Sequence, residues 1–258
     1  MSTDVPPEGP TDRPVHGPLR PVWWERFELG RFAHAALVRK VPRDHLETAA
    51  AFRRRRTVVA LTLVVGAALL GVSLSLEPGD DRFYVLTVLL ALTWMVGTVL
   101  AGPVHLGWAH TRTPTRRTRP IVQPVALGLL MVGIFSLGAL VVARIPFLAE
   151  QTIEVLDHAR FASLPVVALI TLVNGLAEEL YFRGALFAAL ERHQVLWSTV
   201  LYSLATVATG NPMLVFAAAL LGLIVGLQRR VTGGVLGPML IHVIWSMSML
   251  FLLPVLVA

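Results

Sequence analysis

The sequence predicts an all-α, polytopic transmembrane helical bundle of about seven spans, with its N-terminus inside and its C-terminus outside. Three observations carry this. The 258 residues are 55% hydrophobic and only 15% charged, with a mean hydropathy of +0.69, whereas ordinary globular chains are about 25% charged. The apolar residues are gathered into seven runs near the roughly 20 residues that cross a bilayer. The arginines lie in short clusters between alternate runs, the pattern of cytoplasmic loops.

In chain order, residues 1–21 are rich in Pro, Gly and charge and read as a disordered tail. Residues 22–56 form a basic amphipathic segment expected in the cytosol. It mixes Trp23, Trp24, Phe27, Phe32 and Leu37 with Arg26, Arg31, Arg39 and Lys40. It reads either as an interfacial helix with tryptophans at headgroup depth and arginines toward anionic lipid, or as a cytosolic extension with scattered aromatics. No cleavable signal peptide is expected, because the first twenty residues lack an apolar core. The spans are expected near 57–76, 83–103, 121–143, 164–187, 196–209, 213–228 and 234–256; those within 57–143 make an N-terminal group. The fifth and sixth are short and meet at Thr209-Gly210-Asn211-Pro212, a turn by composition. They are either two spans or a re-entrant pair buried among the others.

Charge sets the orientation. Arg53–Arg56, Arg112, Arg116, Arg117, Arg119, Arg183, Arg192, Arg229 and Arg230 put twelve arginines on one side. The other side has Arg82, Arg144 and Arg160 beside Glu77, Asp80, Asp81, Glu150, Glu154 and Asp157. The first side is therefore cytoplasmic. The same clustering argues against nucleic acid as a partner despite the net charge of +6. The expected neighbours are the lipid bilayer and membrane-bound protein or peptide. The expected location is the cell (cytoplasmic) membrane, multi-pass, and the Arg, Ala, Val and Leu usage suggests a bacterial source. The absence of cysteine excludes disulfides, thiolate catalysis and cysteine-ligated zinc.

Chemistry-bearing residues concentrate in the last four runs. Glu178 and Glu179 close the fourth, and Arg183 follows Glu179 at i+4. Ionised groups at membrane depth face the bundle interior and usually serve function, although these two could instead mark a helix end in the headgroup zone. Glu179 can pair with Arg183 along the helix. Glu178 then points to another neighbour, on the face shared with Asn174, because successive helical residues differ by about 100°. His242, one turn before Ser246 in the last run, reaches a similar depth. Alone it reads as a packing residue; beside a free glutamate it is a candidate acid–base partner. Tyr202, Thr206 and Thr209 share a face of the fifth run and read as helix glue, and Gly222 and Gly226 as a small-residue packing pair. His105 and His110 flank a basic loop and are assigned no role.

These residues resemble a known family. Glu178-Glu179-Leu-Tyr-Phe-Arg183-Gly is similar to the EExxxR motif of the CPBP intramembrane proteases, which include type II CAAX prenyl endopeptidases and bacteriocin-immunity relatives. Residues 222–242 are similar to the stretch between that family's second and third motifs, and the likeness covers about 160–258. It implies a catalytic helical core there, in which Glu178 activates the attacking water, Glu179 and Arg183 hold the helix, and His242 helps bind the water or the oxyanion. His242 opens the third motif, HxxxN, with Ser246 in place of the amide. The second motif, FxxxH, is not met: no histidine lies between His193 and His242. In the nearest alignment Thr206 and Gly210 take its two positions, with Asn211 adjacent as a hydrogen-bond donor. Asn174, Thr206, Asn211 and Ser246 are thus expected as supporting residues.

The leading expectation is a membrane-embedded endopeptidase working through glutamate-activated water, with no cofactor. Zinc on Glu178 and His242 is the alternative, disfavoured because catalytic zinc normally takes three protein ligands. The competing expectation is a catalytically impaired relative that binds partners or confers bacteriocin self-immunity. A small transporter with a Glu178–His242 proton relay is a third.

Overall fold

The computed structural model describes residues 28–42, 47–110, 117–161 and 163–257. The tail expected at 1–21, Trp23, Trp24, Arg112 and Arg116 lie outside the described residues. The architecture is helical: α1 (Glu28–Leu37), α2 (Ala49–Leu74), α3 (Arg82–Ala101), α4 (Val122–Val142), α5 (Pro146–Arg160) and α6 (Leu164–Glu179), then a π-helical segment (Leu180–Leu186) running into α7 (Phe187–Ala189), and finally α8 (Gln194–Val207), α9 (Pro212–Thr232) and α10 (Leu236–Val257). The loop after α3 carries a two-residue antiparallel pairing of β1 (Ala109–His110) with β2 (Arg117–Thr118).

Among the described residues six helices are long and apolar enough to cross a membrane: α2, α3, α4, the continuous stretch Leu164–Ala189, α9 and α10. The seventh expected span, α8, has 14 residues and rises about 21 Å, short of the hydrocarbon thickness of about 30 Å. Two differences from the sequence reading have clear local causes. Helix α2 starts at Ala49, where the Thr48 hydroxyl accepts from Ala51 N at 3.2 Å, so Arg53–Arg56 belong to its first turns rather than to a preceding segment. Between the third and fourth spans the chain forms α5, begun by Pro146 in its first turn, a position proline fits because its missing N–H is unpaired there anyway.

The apolar surface divides into lipid-facing and packed parts. Many large side chains, among them Leu61, Val64, Leu92, Val99, Leu129, Leu137 and Val255, remain exposed, as expected where lipid replaces water. Association between such helices rests on close packing. One cluster joins α2, α3, the π segment and α8, with Trp94 stacked on Tyr181 at 4.4 Å between ring centroids. The Tyr181 hydroxyl donates to Val59 O at 2.6 Å, tying the π segment to α2. A second cluster joins α1, α4, α9 and α10 through Ala36, Leu127, Met131, Leu221, Val225 and Ile241, with Phe32, Leu37 and Trp245 against it. Helix α1 therefore packs on the bundle, and Val41 N donates to Val231 O at 2.9 Å. The helix α6 and its π continuation run between these two cores, in contact with α3 and α10.

Candidate intramembrane active site

Four elements bring the ionisable residues together. Helix α6 presents Glu178 and Glu179, the π segment Arg183, α8 Tyr202 and α10 His242. The two glutamates have different environments. Glu179 has no exposed surface, and neither has Arg183. Glu179 Oε1 accepts from Arg183 Nη1 at 3.2 Å and from His242 Nδ1 at 2.8 Å. Glu178 is half-buried, and its Oε2 accepts from the Tyr202 hydroxyl at 2.6 Å.

The i,i+4 pair expected between Glu179 and Arg183 thus forms. The histidine is placed differently from the expectation: it bonds Glu179, not the free Glu178. An ionised carboxylate only accepts, so the proton on that bond belongs to Nδ1, and a neutral ring then carries a lone pair at Nε2. The Nε2 edge lies against Gly175, where a methyl group would stand 3.6 Å from Nε2 and 3.8 Å from Ser246 Oγ. Gly175 is one turn before the glutamates and faces the imidazole edge and Ser246 at distances that an alanine methyl would meet as ordinary contact.

Arg183 is held by more than its ion pair. Its guanidinium lies 4.5 Å from the Tyr202 ring centroid, a cation–π contact, and its backbone carbonyl accepts from Arg229 Nε at 2.6 Å. Gly222 of α9 leaves it room, since a Cβ there would be 3.1 Å from Arg183 Nη2. Small residues at that crossing let α8 and α9 approach. Arg183 Nε and Nη2 and Glu179 Oε2 are buried without a hydrogen-bond partner among the described residues.

The supporting residues separate into two groups. Asn174 donates through Nδ2 to Ile170 O at 3.0 Å, and its Oδ1 is buried and unpartnered among the described residues, one turn before Glu178. Ser246 stands beside His242 and bonds weakly to Val243 O at 3.5 Å. Thr206 donates to Tyr202 O at 2.9 Å. Asn211 is elsewhere. Its Oδ1 caps α9 by accepting from Met213 N at 3.0 Å and Leu214 N at 3.2 Å, and its Nδ2 donates to Gln151 O at 2.7 Å. It sits at the opposite end of α9 from Arg229, about 27 Å along the axis. Gly210 lies in the turn after α8 with φ of 72°, so the pair of α8 residues at i,i+4 on the Glu178 side is Tyr202 and Thr206 rather than Thr206 and Gly210.

Tyr202 is the site residue that the sequence reading passed over, having grouped it with helix glue. The available signal was its hydroxyl: a buried phenol needs a hydrogen-bond partner, and Glu178 was the acceptor without an assigned one.

The comparison with known families bears on this same region. Residues 160–248, about a third of the chain, match the family model for type II CAAX prenyl endopeptidases, Rce1-like. Over this segment the chain is similar to that family. No curated protein and no solved structure matches it. The matched segment contains Glu178, Glu179, Arg183, Tyr202 and His242. The matched segment therefore coincides with the part of the bundle where the buried charges meet.

The fit to a metal is poor. Among the described residues no three His, Asp or Glu side chains are grouped to hold an ion, and catalytic zinc normally takes three protein ligands. His242 also commits Nδ1 to Glu179, leaving Glu178 and Nε2 as the only donors of the expected pair.

Proposed function

We propose that this protein is a membrane-embedded endopeptidase that hydrolyses peptide bonds of membrane-associated proteins or peptides with a water activated by Glu178. The observation that carries the reading is the division of labour between the adjacent glutamates. Glu179 is sealed and bonds Arg183 and His242 through Oε1, whereas Glu178 is half-buried beside them with Tyr202 on its Oε2.

In this mechanism the water donates one hydrogen bond to Glu178 and one to the Nε2 lone pair of His242, and it aims its own lone pair at the scissile carbonyl. As the C–O bond forms, Glu178 takes a proton from the water. Collapse of the tetrahedral intermediate breaks the C–N bond, and Glu178 returns that proton to the departing amine. Of the two roles implied for His242, the tautomer set by Glu179 favours holding the water over donating to the oxyanion. Glu179 and Arg183 act as positioning residues, and Tyr202 fixes one oxygen of Glu178 so that the other faces the water. The site opens toward the side bearing the arginine clusters, which the charge bias makes cytoplasmic.

A second reading is a catalytically impaired relative that binds a partner or confers self-immunity. It is favoured by α8, which offers Tyr202 and Thr206 where the family's motif has a histidine, and a protonated phenol or alcohol lacks the basic ring nitrogen of an imidazole. Cleavage of a panel of membrane peptides by the purified protein in detergent decides between them, with wild type beside Glu178→Gln and His242→Ala, each with and without a chelator. Loss in both variants with indifference to chelator is expected. Loss on chelation would show a metal and defeat the metal-free mechanism. A folded wild type that cleaves nothing in the panel would favour the binding reading.

A further inference from the structure

A groove of about 490 Å³ opens on the lipid-facing side between α2, α7 and the start of α8, within the roughly 300–1,000 Å³ of small-ligand sites. It is separate from the glutamates. Its walls are Val59 and Leu63 of α2, Leu186 and Ala189 behind them, and Leu201 of α8. Its mouth carries Arg56, Arg192 and Trp197. From Arg56 to Leu63 is about 10 Å along α2, so the groove descends from a basic, aromatic rim into the apolar depth of the bundle.

We infer that this groove binds an anionic phospholipid, its phosphate between Arg56 and Arg192 and an acyl chain along Val59, Leu63 and Leu201. Three features of the groove favour that occupant. The walls are apolar side chains of α2, of the end of the Leu164–Ala189 stretch and of α8. Trp197 is 48% exposed at the rim, the depth at which tryptophans meet lipid headgroups. The rim is cationic on balance: Glu191 pairs with Arg56 through Nη1 at 3.1 Å, which leaves Nη2 and Nε of Arg56 and the whole exposed guanidinium of Arg192 for the phosphate. Basic pockets between spans at headgroup level recognise acidic lipids in this manner. A zwitterionic lipid presents its own cation to the same rim and gains less. The floor residues Leu186 and Ala189 continue directly from the π segment that holds Arg183, so an occupied groove also buttresses that segment.

Native mass spectrometry and thermal unfolding of the delipidated full chain in neutral detergent test this. The additives are phosphatidylglycerol, phosphatidylcholine and the tail-free glycerol phosphate. Phosphatidylglycerol is expected to be retained and to raise the unfolding temperature, while the other two do neither. Arg56→Ala with Arg192→Ala is expected to weaken its binding about 25-fold, taking each arginine's contribution at the membrane surface as about fivefold. Arg53→Ala with Arg54→Ala, exposed on the same helix but off the groove, keeps it. Arg192→Glu alone repeats the loss, and the position is exposed enough to leave folding unchanged. Equal retention of phosphatidylcholine, equal loss in the Arg53/Arg54 pair, undiminished binding in the Arg56/Arg192 pair, or no retention by wild type would each overturn the inference. Binding of glycerol phosphate alone would show an anion site without lipid and overturn it as well.

Discussion

Replacing Glu179 by Gln should unsettle the whole bundle, while the same change one residue earlier should not. Glu179 has zero exposure and neutralises an Arg183 that also has zero exposure. The guanidinium keeps its charge under all ordinary conditions. Removing one partner of a buried ion pair costs about 3–5 kcal/mol, because the remaining charge is left in low dielectric. The amide oxygen of glutamine can still accept from His242 Nδ1, which retains about 1 kcal/mol. The net loss is then about 3 kcal/mol, or roughly 6–12 °C at about 2–4 °C per kcal/mol for a chain of this size. Glu178→Gln keeps an acceptor for Tyr202 at a half-buried position and should shift the midpoint by no more than about 2–4 °C, the equivalent of about 1 kcal/mol. The assay is thermal unfolding in detergent, followed by intrinsic tryptophan fluorescence. A third variant, Glu179→Leu with Arg183→Met, removes both charges and should recover part of the loss, short of the cost of leaving His242 Nδ1–H unpaired. Equal midpoints for the two single glutamine variants, or a double variant less stable than Glu179→Gln, would refute the assignment of Glu179 as a buried counter-ion.

Three further outcomes are expected. A methyl group on Gly66 would fall inside the indole of Trp94, so Gly66→Ala should cost about 1–3 kcal/mol of overpacking, and Trp94→Leu in the same chain should relieve it in the unfolding midpoint. Asn211→Ala removes the cap of α9, worth about 0.5–2 kcal/mol, and the tie to Gln151, worth about 0.5–1.5 kcal/mol; the midpoint should fall without change at Glu178, read as unaltered cleavage in the peptide panel. His105, in the loop after α3, is held below the ordinary imidazole range by burial and then by the Arg229 and Arg55 cations. The unfolded chain therefore takes up this proton first as pH falls, so stability is full above about 6.5 and declines as pH drops through that value. His105→Gln should flatten the decline in unfolding midpoint between pH 7 and 5.

The long spans were legible because each is a nearly unbroken apolar run, a signal that survives errors of several residues at its ends. Helix α5 was not, because Glu150, Glu154 and Asp157 break its apolar pattern and its sequence reads as an outer loop. The adjacency of Glu178 and Glu179 and the spacing to Arg183 sufficed to expect one paired and one available carboxylate. Which of the two would meet His242 was not legible. That choice depends on how α10 is rotated against α6. Tyr202 was misread for a similar reason: its helix face was evident, but its partner lies 24 residues earlier and no local pattern connects them. The groove at Arg56 and Arg192 joins residues still farther apart in the chain.

The π segment Leu180–Leu186 bears on a kind of change that side chains do not capture. Its i→i+5 bonding accommodates one residue more than a regular turn. Deleting a single residue within this stretch would let it close as ordinary helix with the faces beyond it kept, whereas a deletion in α6 has no spare residue to draw on and would rotate the part of the span before it by about 100° relative to Glu178 and Glu179. Every contact before that second deletion would then face a different neighbour, although nearly all the amino acids would be unchanged. For this span the count of residues is itself information, and deletions in α6 are more disruptive than most single replacements.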